Sequence, residues 1–168
     1  MVTKMLKTLL QKLLVLSLII FSFSCSKNND DDDIYYQEVN ISYSNMELEI
    51  MKLLNDYRAE IGLSKLNELN IVSEEALEHT NYMISTGDVS HYNFTERLEY
   101  LIKNASAKEA AENVAFGFIT AQSVVDSWIK SDEHRKTIER GNFTHFGISA
   151  KTDANGRYYF TNIFIERK

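Results

Sequence analysis

The sequence predicts an α+β domain in which helices pack on a small antiparallel sheet. Three observations carry that expectation. Apolar residues recur at spacings of three and four from about Asn45 to the region before Gly141, the period of a helix. The period falls to two after His145. Asn155-Gly156 then interrupts the alternating stretch, and this dipeptide favours the tight turn of a hairpin.

Taken in order, the first helix is expected from Asn45 to Ile61. Ile50, Leu53, Leu54, Tyr57 and Ile61 form its stripe, and Gly62 is a natural stop. A second helix is expected after Ser73, a good N-cap followed by Glu74 and Glu75 in the first turn. Ala76, Thr80 and Met83 face inward with His79 beside them, and Gly87 ends it. A third begins near Asn93, which with Glu96 resembles a capping box; Leu98, Leu101 and Ile102 are its stripe. A fourth follows Thr120, with Val124, Val125, Trp128 and Ile129 on one face. A short fifth follows Ser131 and stops at Gly141. Asn113 to Ile119 is apolar enough for a short strand. Phe146, Ile148 and Ala150 alternate along the next strand, and Tyr158 to Ile165 completes the hairpin.

The first 24 residues read as an address. Lys4, Lys7 and Lys12 precede an apolar stretch from Leu13 to Phe23, and small residues follow, the pattern of a secretory signal. Cys25 is the single cysteine of the 168-residue chain, so an internal disulfide is excluded. Its position resembles a lipobox, with Ser22 where an aliphatic residue is usual, and marks it for lipidation. Residues 25–43, with Asp30 to Asp33, read as an acidic tether, and residues 44–168 as the domain. Losing residues 1–24 removes three lysines and no acid, so the net charge moves from −6 to −9. So acidic a domain has no nucleic-acid footprint and no basic patch for anionic headgroups. Membrane contact is expected through the lipid alone.

Short motifs occur in a fixed order along the domain. Asn55 and Arg58 are followed by Gly62-Leu63. Ser90-His91 is followed by Arg97, then Glu112-Asn113, then Trp128 and Ser131 with His134-Arg135, then Phe143 to Gly147. Together they resemble the CAP (SCP-like) superfamily over about Asn45 to Phe164. The resemblance implies an α-β-α sandwich with helices on both sides of the sheet. It also implies a surface cleft lined by two histidines and two acids. Carried over by motif, the histidines are His91 and His134 and one acid is Glu112. The second acid has no clear counterpart: Ser131 stands at one family position, and Asp132 and Glu133 replace a Pro-Gly, so Glu133 is the candidate. In several family members the two histidines hold a divalent metal, so zinc on His91 and His134 is an expectation of the resemblance.

Position alone says that His134, in the first turn of its helix, should be neutral, because the positive helix end disfavours imidazolium. His79 and His145 read as packing or surface residues, Asn113 as a partner of backbone groups, and Trp128 as core. Ser131 reads as the cap of the fifth helix, which commits its oxygen and weakens a Ser131–His134 nucleophilic pair. No Gly-x-Ser-x-Gly elbow or His-Glu-x-x-His helix occurs. Two functions stay in view. One is a non-enzymatic, envelope-anchored module that binds a lipid or protein ligand in the cleft. The other is a zinc-assisted, peptidase-like hydrolase in which Glu112 activates water between His91 and His134. The oligomeric state is left open.

Overall fold

The first helix, α1 (Asn45–Glu60), starts where Ser44 and Glu47 close a reciprocal capping box. The computed structural model describes residues 40–167, so the signal segment, Cys25 and most of the tether lie outside the described residues. After α1 come β1 (Asn67–Glu68), α2 (Asn70–Thr86), α3 (Phe94–Asn104), β2 (Ala107–Phe116), α4 (Ala121–Lys130), α5 (Asp132–Ile138), β3 (His145–Thr152) and β4 (Tyr158–Arg167). The strands lie in the order β1-β3-β4-β2. β4 pairs antiparallel with β2 and with β3, and β1 adds a two-residue parallel edge to β3. The expected antiparallel hairpin is therefore present, and the sheet as a whole is mixed.

Period-two alternation sends successive residues of β4 to opposite faces. Phe160 and Phe164 join Phe146, Ile148 and Ala150 of β3 in a core with Ile50 and Leu54 of α1 and Val124, Val125 and Trp128 of α4. Ile163 and Ile165 face the other way, against Val72 and Ala76 of α2 and Leu101 of α3. Helices thus cover both faces, as the resemblance implied. All these core residues lie between Ile50 and Ile165, so residues 34–168 carry a complete core.

Several elements differ from expectation, each for a tertiary reason. α2 begins at Asn70, not after Ser73, and Leu69 at its N-cap offers no side-chain hydrogen bond. Ser73 is instead buried inside the helix, where its hydroxyl bonds Tyr43 Oη at 2.8 Å and the backbone N–H of Ile148 at 3.2 Å. Tyr43, placed in the tether by composition, is thereby fastened to α2. The helix lies backbone-on against β3, because a Cβ on Gly147 would stand 2.3 Å from Ser73 N. Gly87 ends α2 in the left-handed region at φ 72°, as expected. The Asn93–Glu96 capping box is not formed: Asn93 adopts φ 54° and makes no side-chain cap. Ile102 is exposed, and Arg97 takes the inward position on α3.

β2 starts six residues before the expected Asn113. Its opening run Ala107-Lys108-Glu109-Ala110-Ala111-Glu112 is rich in helix formers. Pairing with β4 from Ala107 to Phe116 overrides that propensity. α5 stops at Ile138, short of Gly141. Its terminal carbonyls meet the fully buried Arg58, whose Nη1 donates to Ile138 O at 2.5 Å and to Arg140 O at 3.0 Å. Asn55 clasps both backbone groups of Leu66 at 2.7 and 2.9 Å. Two residues of the first motif are therefore scaffold.

Candidate functional site

The site is built around two neighbouring residues of the edge strand β2. Alternation points Glu112 toward α2 and α3, and Asn113 toward the face that carries α5. The pair therefore reaches both sides of the sheet at once.

Glu112 is buried, with a carboxylate enclosed by three basic side chains. Arg97 of α3 grips it with Nε at 3.0 Å on one oxygen and Nη2 at 2.9 Å on the other, a fork geometry that suits guanidinium and carboxylate. His91, in the loop between α2 and α3, brings Nδ1 to 2.8 Å from Oε1. Because the carboxylate only accepts, a His91 proton sits on Nδ1, and Nε2 is the ring nitrogen that Glu112 does not engage. The His91 side chain is 53 % exposed, whereas that of Glu112 is 1 % exposed. The acid therefore holds the ring from beneath, and the ring faces outward.

The third base is His79 of α2, which sequence reasoning set aside as packing. It is buried, donates through Nε2 to Ser90 O at 2.7 Å, and lies 3.6 Å from Glu112 Oε1. Burial pushes its pKa below the ordinary value, against the pull of Glu112. By fixing Ser90 it fixes the loop that carries His91. The signal that could have found it is its position on the inward stripe of α2, four residues after Glu75 and one before Thr80.

His134 lies on the opposite side of β2, in the first turn of α5. Asn113 Nδ2 donates to its backbone carbonyl at 3.1 Å, so Asn113 satisfies a backbone group as expected and pins α5 to the strand. Burial is the first cause of a lowered His134 pKa, and the charge of His91 is the second. The expected neutrality therefore holds in direction, with desolvation rather than the helix end as its cause.

Ser131 corrects an expectation. It stands at the N-cap of α5 but makes no side-chain cap bond. Its Oγ lies 2.9 Å from His134 Nδ1 instead, orienting the ring. Glu133 is exposed, and its charge favours protonated His134. Trp128 is core, with its indole N–H on Val114 O at 3.1 Å. His145 pairs with Thr144 at the start of β3. Among the described residues no three His, Cys, Asp or Glu side chains are grouped to hold a metal. Two imidazoles are available, but a catalytic zinc takes three protein ligands, and both oxygens of Glu112 are already engaged.

Residues 51–164 match the CAP family, the cysteine-rich secretory protein family. The chain belongs to the CAP family. The match covers nearly all of both cores, leaving out Ile50 and Ile165 at their margins, and every motif residue of the site. Two relatives come from Bacillus subtilis. The uncharacterized membrane protein YlbC is 29 % identical over 72 % of this chain and 34 % of its own length. The uncharacterized protein YkwD is 32 % identical over 64 % of this chain and 43 % of its own. The chain thus spans less than half the length of these relatives. Among solved structures, an outer surface protein from Borrelia burgdorferi superposes with TM-score 0.65 at 20 % identity, over 71 % of this chain and 90 % of that one. An extracellular SCP-domain protein from Bacillus anthracis gives 0.62 at 24 % identity, over 73 % and 40 %. These two likenesses bear on the CAP fold alone. This CAP domain has no cysteine after Cys25, so packing and buried polar clasps replace disulfides.

Proposed function

We propose that this chain is an envelope-anchored CAP-domain lipoprotein that binds a ligand at the His91–His134 face and is not a hydrolase. The observation that carries the reading is the engagement of Glu112. Its two oxygens accept three hydrogen bonds from Arg97 and His91, and its side chain is 1 % exposed, so the acid holds a ring in place beneath the surface and is poorly placed to deprotonate a water. Carboxylate-backed histidine with an outward Nε2 is a binding arrangement: it accepts one hydrogen bond, or donates a lone pair to a divalent ion. Zinc on His91 and His134 is retained as a ligand-side proposal, and a zinc-assisted hydrolase through Glu112 is the weaker reading. The Ser131–His134 pair has the distance of a nucleophile and its base, but among the described residues no carboxylate hydrogen-bonds His134 to orient it.

Anchoring is proposed from the sequence, through lipid on Cys25 and the acidic tether, with the domain outside the cytoplasm. The name of one relative as a membrane protein supports that address. A lipid or protein is the proposed partner. Labelling with a palmitate analogue tests the anchor: incorporation lost in Cys25→Ser supports it, and retained labelling removes Cys25 from the proposal. Calorimetry with zinc on residues 34–168 tests the site. Saturable binding lost in both His91→Ala and His134→Ala supports a shared metal site. Binding that survives His134→Ala separates the two rings. Peptidase activity that depends on Glu112 would overturn the non-enzymatic reading.

A further inference from the structure

A concavity lies between α2, α3 and the loop joining them, and it borders the Glu112 cluster through Arg97 and His79. It encloses about 430 Å³ and is lined by glutamates and tyrosines. Glu75 and Glu78 come from α2, Glu96 and Tyr100 from α3, and Tyr82 and Tyr92 close one end. Tyr82 and Tyr92 stack with ring centroids 4.7 Å apart and planes 11° from parallel.

Glu75 is the telling residue. It is 7 % exposed, lines the pocket, and has no hydrogen bond or ion pair among the described residues. Buried carboxylates are almost always paired, because an unmatched charge out of water is costly. Arg97 is the one basic side chain in the lining, and its guanidinium is spent on Glu112. His79 also borders the pocket, with its Nε2 proton given to Ser90 O. The pocket therefore holds an excess of negative charge, with Glu74, Glu75, Glu78 and Glu96 set against Arg97, which attracts Glu75 through space but is hydrogen-bonded to Glu112. Aromatic faces beside a carboxylate are the groups that recognise a positively charged nitrogen on an apolar stem.

We propose that the α2–α3 pocket binds an organic ammonium group, with Glu75 as the counter-ion and the Tyr82–Tyr92 pair as the aromatic wall. The volume admits an alkylammonium chain or a lysine side chain and lies within the usual range for small-ligand sites. The occupant enters from solvent with its nitrogen toward Glu75, while Glu78 and Glu96 lend longer-range attraction.

The test is an NMR titration of residues 34–168 at pH 8, above the value of about 7 to which burial raises Glu75. The probes are n-butylammonium, its neutral counterpart 1-butanol, and N-acetyl-lysine amide. The expected result is saturable shifts on α2 and α3 amides with the two ammonium probes and none with 1-butanol. Tighter binding of the lysine derivative assigns the ligand to a peptide, and tighter binding of butylammonium to a free amine. Glu75→Gln should weaken binding about tenfold, the value of one charged hydrogen bond. Tyr92→Ala, on an exposed loop position that leaves both cores intact, should weaken it several-fold. Equal response to 1-butanol, unchanged affinity in Glu75→Gln, or no saturation up to about 100 mM overturns the proposal.

Discussion

Replacing Glu112 by Gln tests the centre of the site. Glu112 and Arg97 are each less than a tenth exposed, and the guanidinium spends Nε and Nη2 on the carboxylate. Breaking a buried pair by neutralising one partner costs about 3–5 kcal/mol, because the remaining charge is left out of water. Gln keeps one acceptor oxygen for Arg97, so the expected loss for Glu112→Gln is near 3 kcal/mol. Arg97→Met leaves the carboxylate with only the two imidazoles of His91 and His79 beside it and should cost about 3–5 kcal/mol. The double variant carries neither charge. Its loss should be close to that of one single variant, giving a coupling of about 2–4 kcal/mol, at the upper end for residues in one network. Urea unfolding of the four proteins with unchanged m-value measures this directly. A companion readout is the tautomer of His91 by nitrogen NMR: Nδ1–H in the parent, mixed in Glu112→Gln. Additivity within about 0.5 kcal/mol would refute the claim that Glu112 is held by a buried ion pair.

Four further outcomes are expected. Gly147→Ala should lose more than about 3 kcal/mol or fail to fold, since the new Cβ would meet the backbone of Ser73 and Val72 at 2.3 and 2.4 Å; near-parent thermal stability would refute the backbone contact. His79 and His134 have folded pKa values below their ordinary 6.5, so the unfolded chain takes up protons first as pH falls. Their contribution is whole above pH 6.5 and is lost below it, and a stability profile flat from pH 7 to 5 in the Glu75→Gln background, where the opposing titration of Glu75 is removed, would contradict this. Glu75 runs the other way: raised from 4.5 to about 7, it contributes stability at low pH that is lost as pH rises through 7. Glu75→Gln should therefore gain about 2 kcal/mol at pH 8 and almost nothing at pH 4, the full 2.5-unit shift being tempered by the opening to water. Ser44→Ala should cost about 1 kcal/mol through its capping box, visible as a lower melting midpoint.

The Glu75 experiments also separate two kinds of residue. A group that serves the fold loses stability when neutralised, as Glu112 should. One that serves a ligand gains stability and loses affinity, as Glu75 should. The conflicting demands on two glutamates of one domain follow from their partners: Glu112 has Arg97, and Glu75 has no ion pair among the described residues.

Local chemistry alone determined much of this protein. The 3.6-residue stripes located four of the five helices among the described residues, and Ser131 and Gly141 bracketed the short fifth, because an amphipathic face has the same period wherever the helix later docks. Alternation and Asn155-Gly156 located the hairpin for the same reason. The motif order brought His91, Glu112 and His134 to attention. What the sequence could not place was any group whose role depends on a distant neighbour. Ser73 looks like a cap and is a buried hydroxyl, because Tyr43 and Ile148 are 30 and 75 residues away. Ser131 looks like a cap and orients His134. Ala107 to Glu112 looks helical and is strand, since β4 pairs with it from the other end of the domain. Arg97 and His79 were readable as a motif residue and a core residue, but only the crossing of α2, α3 and β2 makes them partners of Glu112. Periodicity is a property of one segment; charge matching and desolvation are properties of several segments together, and the tertiary structure decides those.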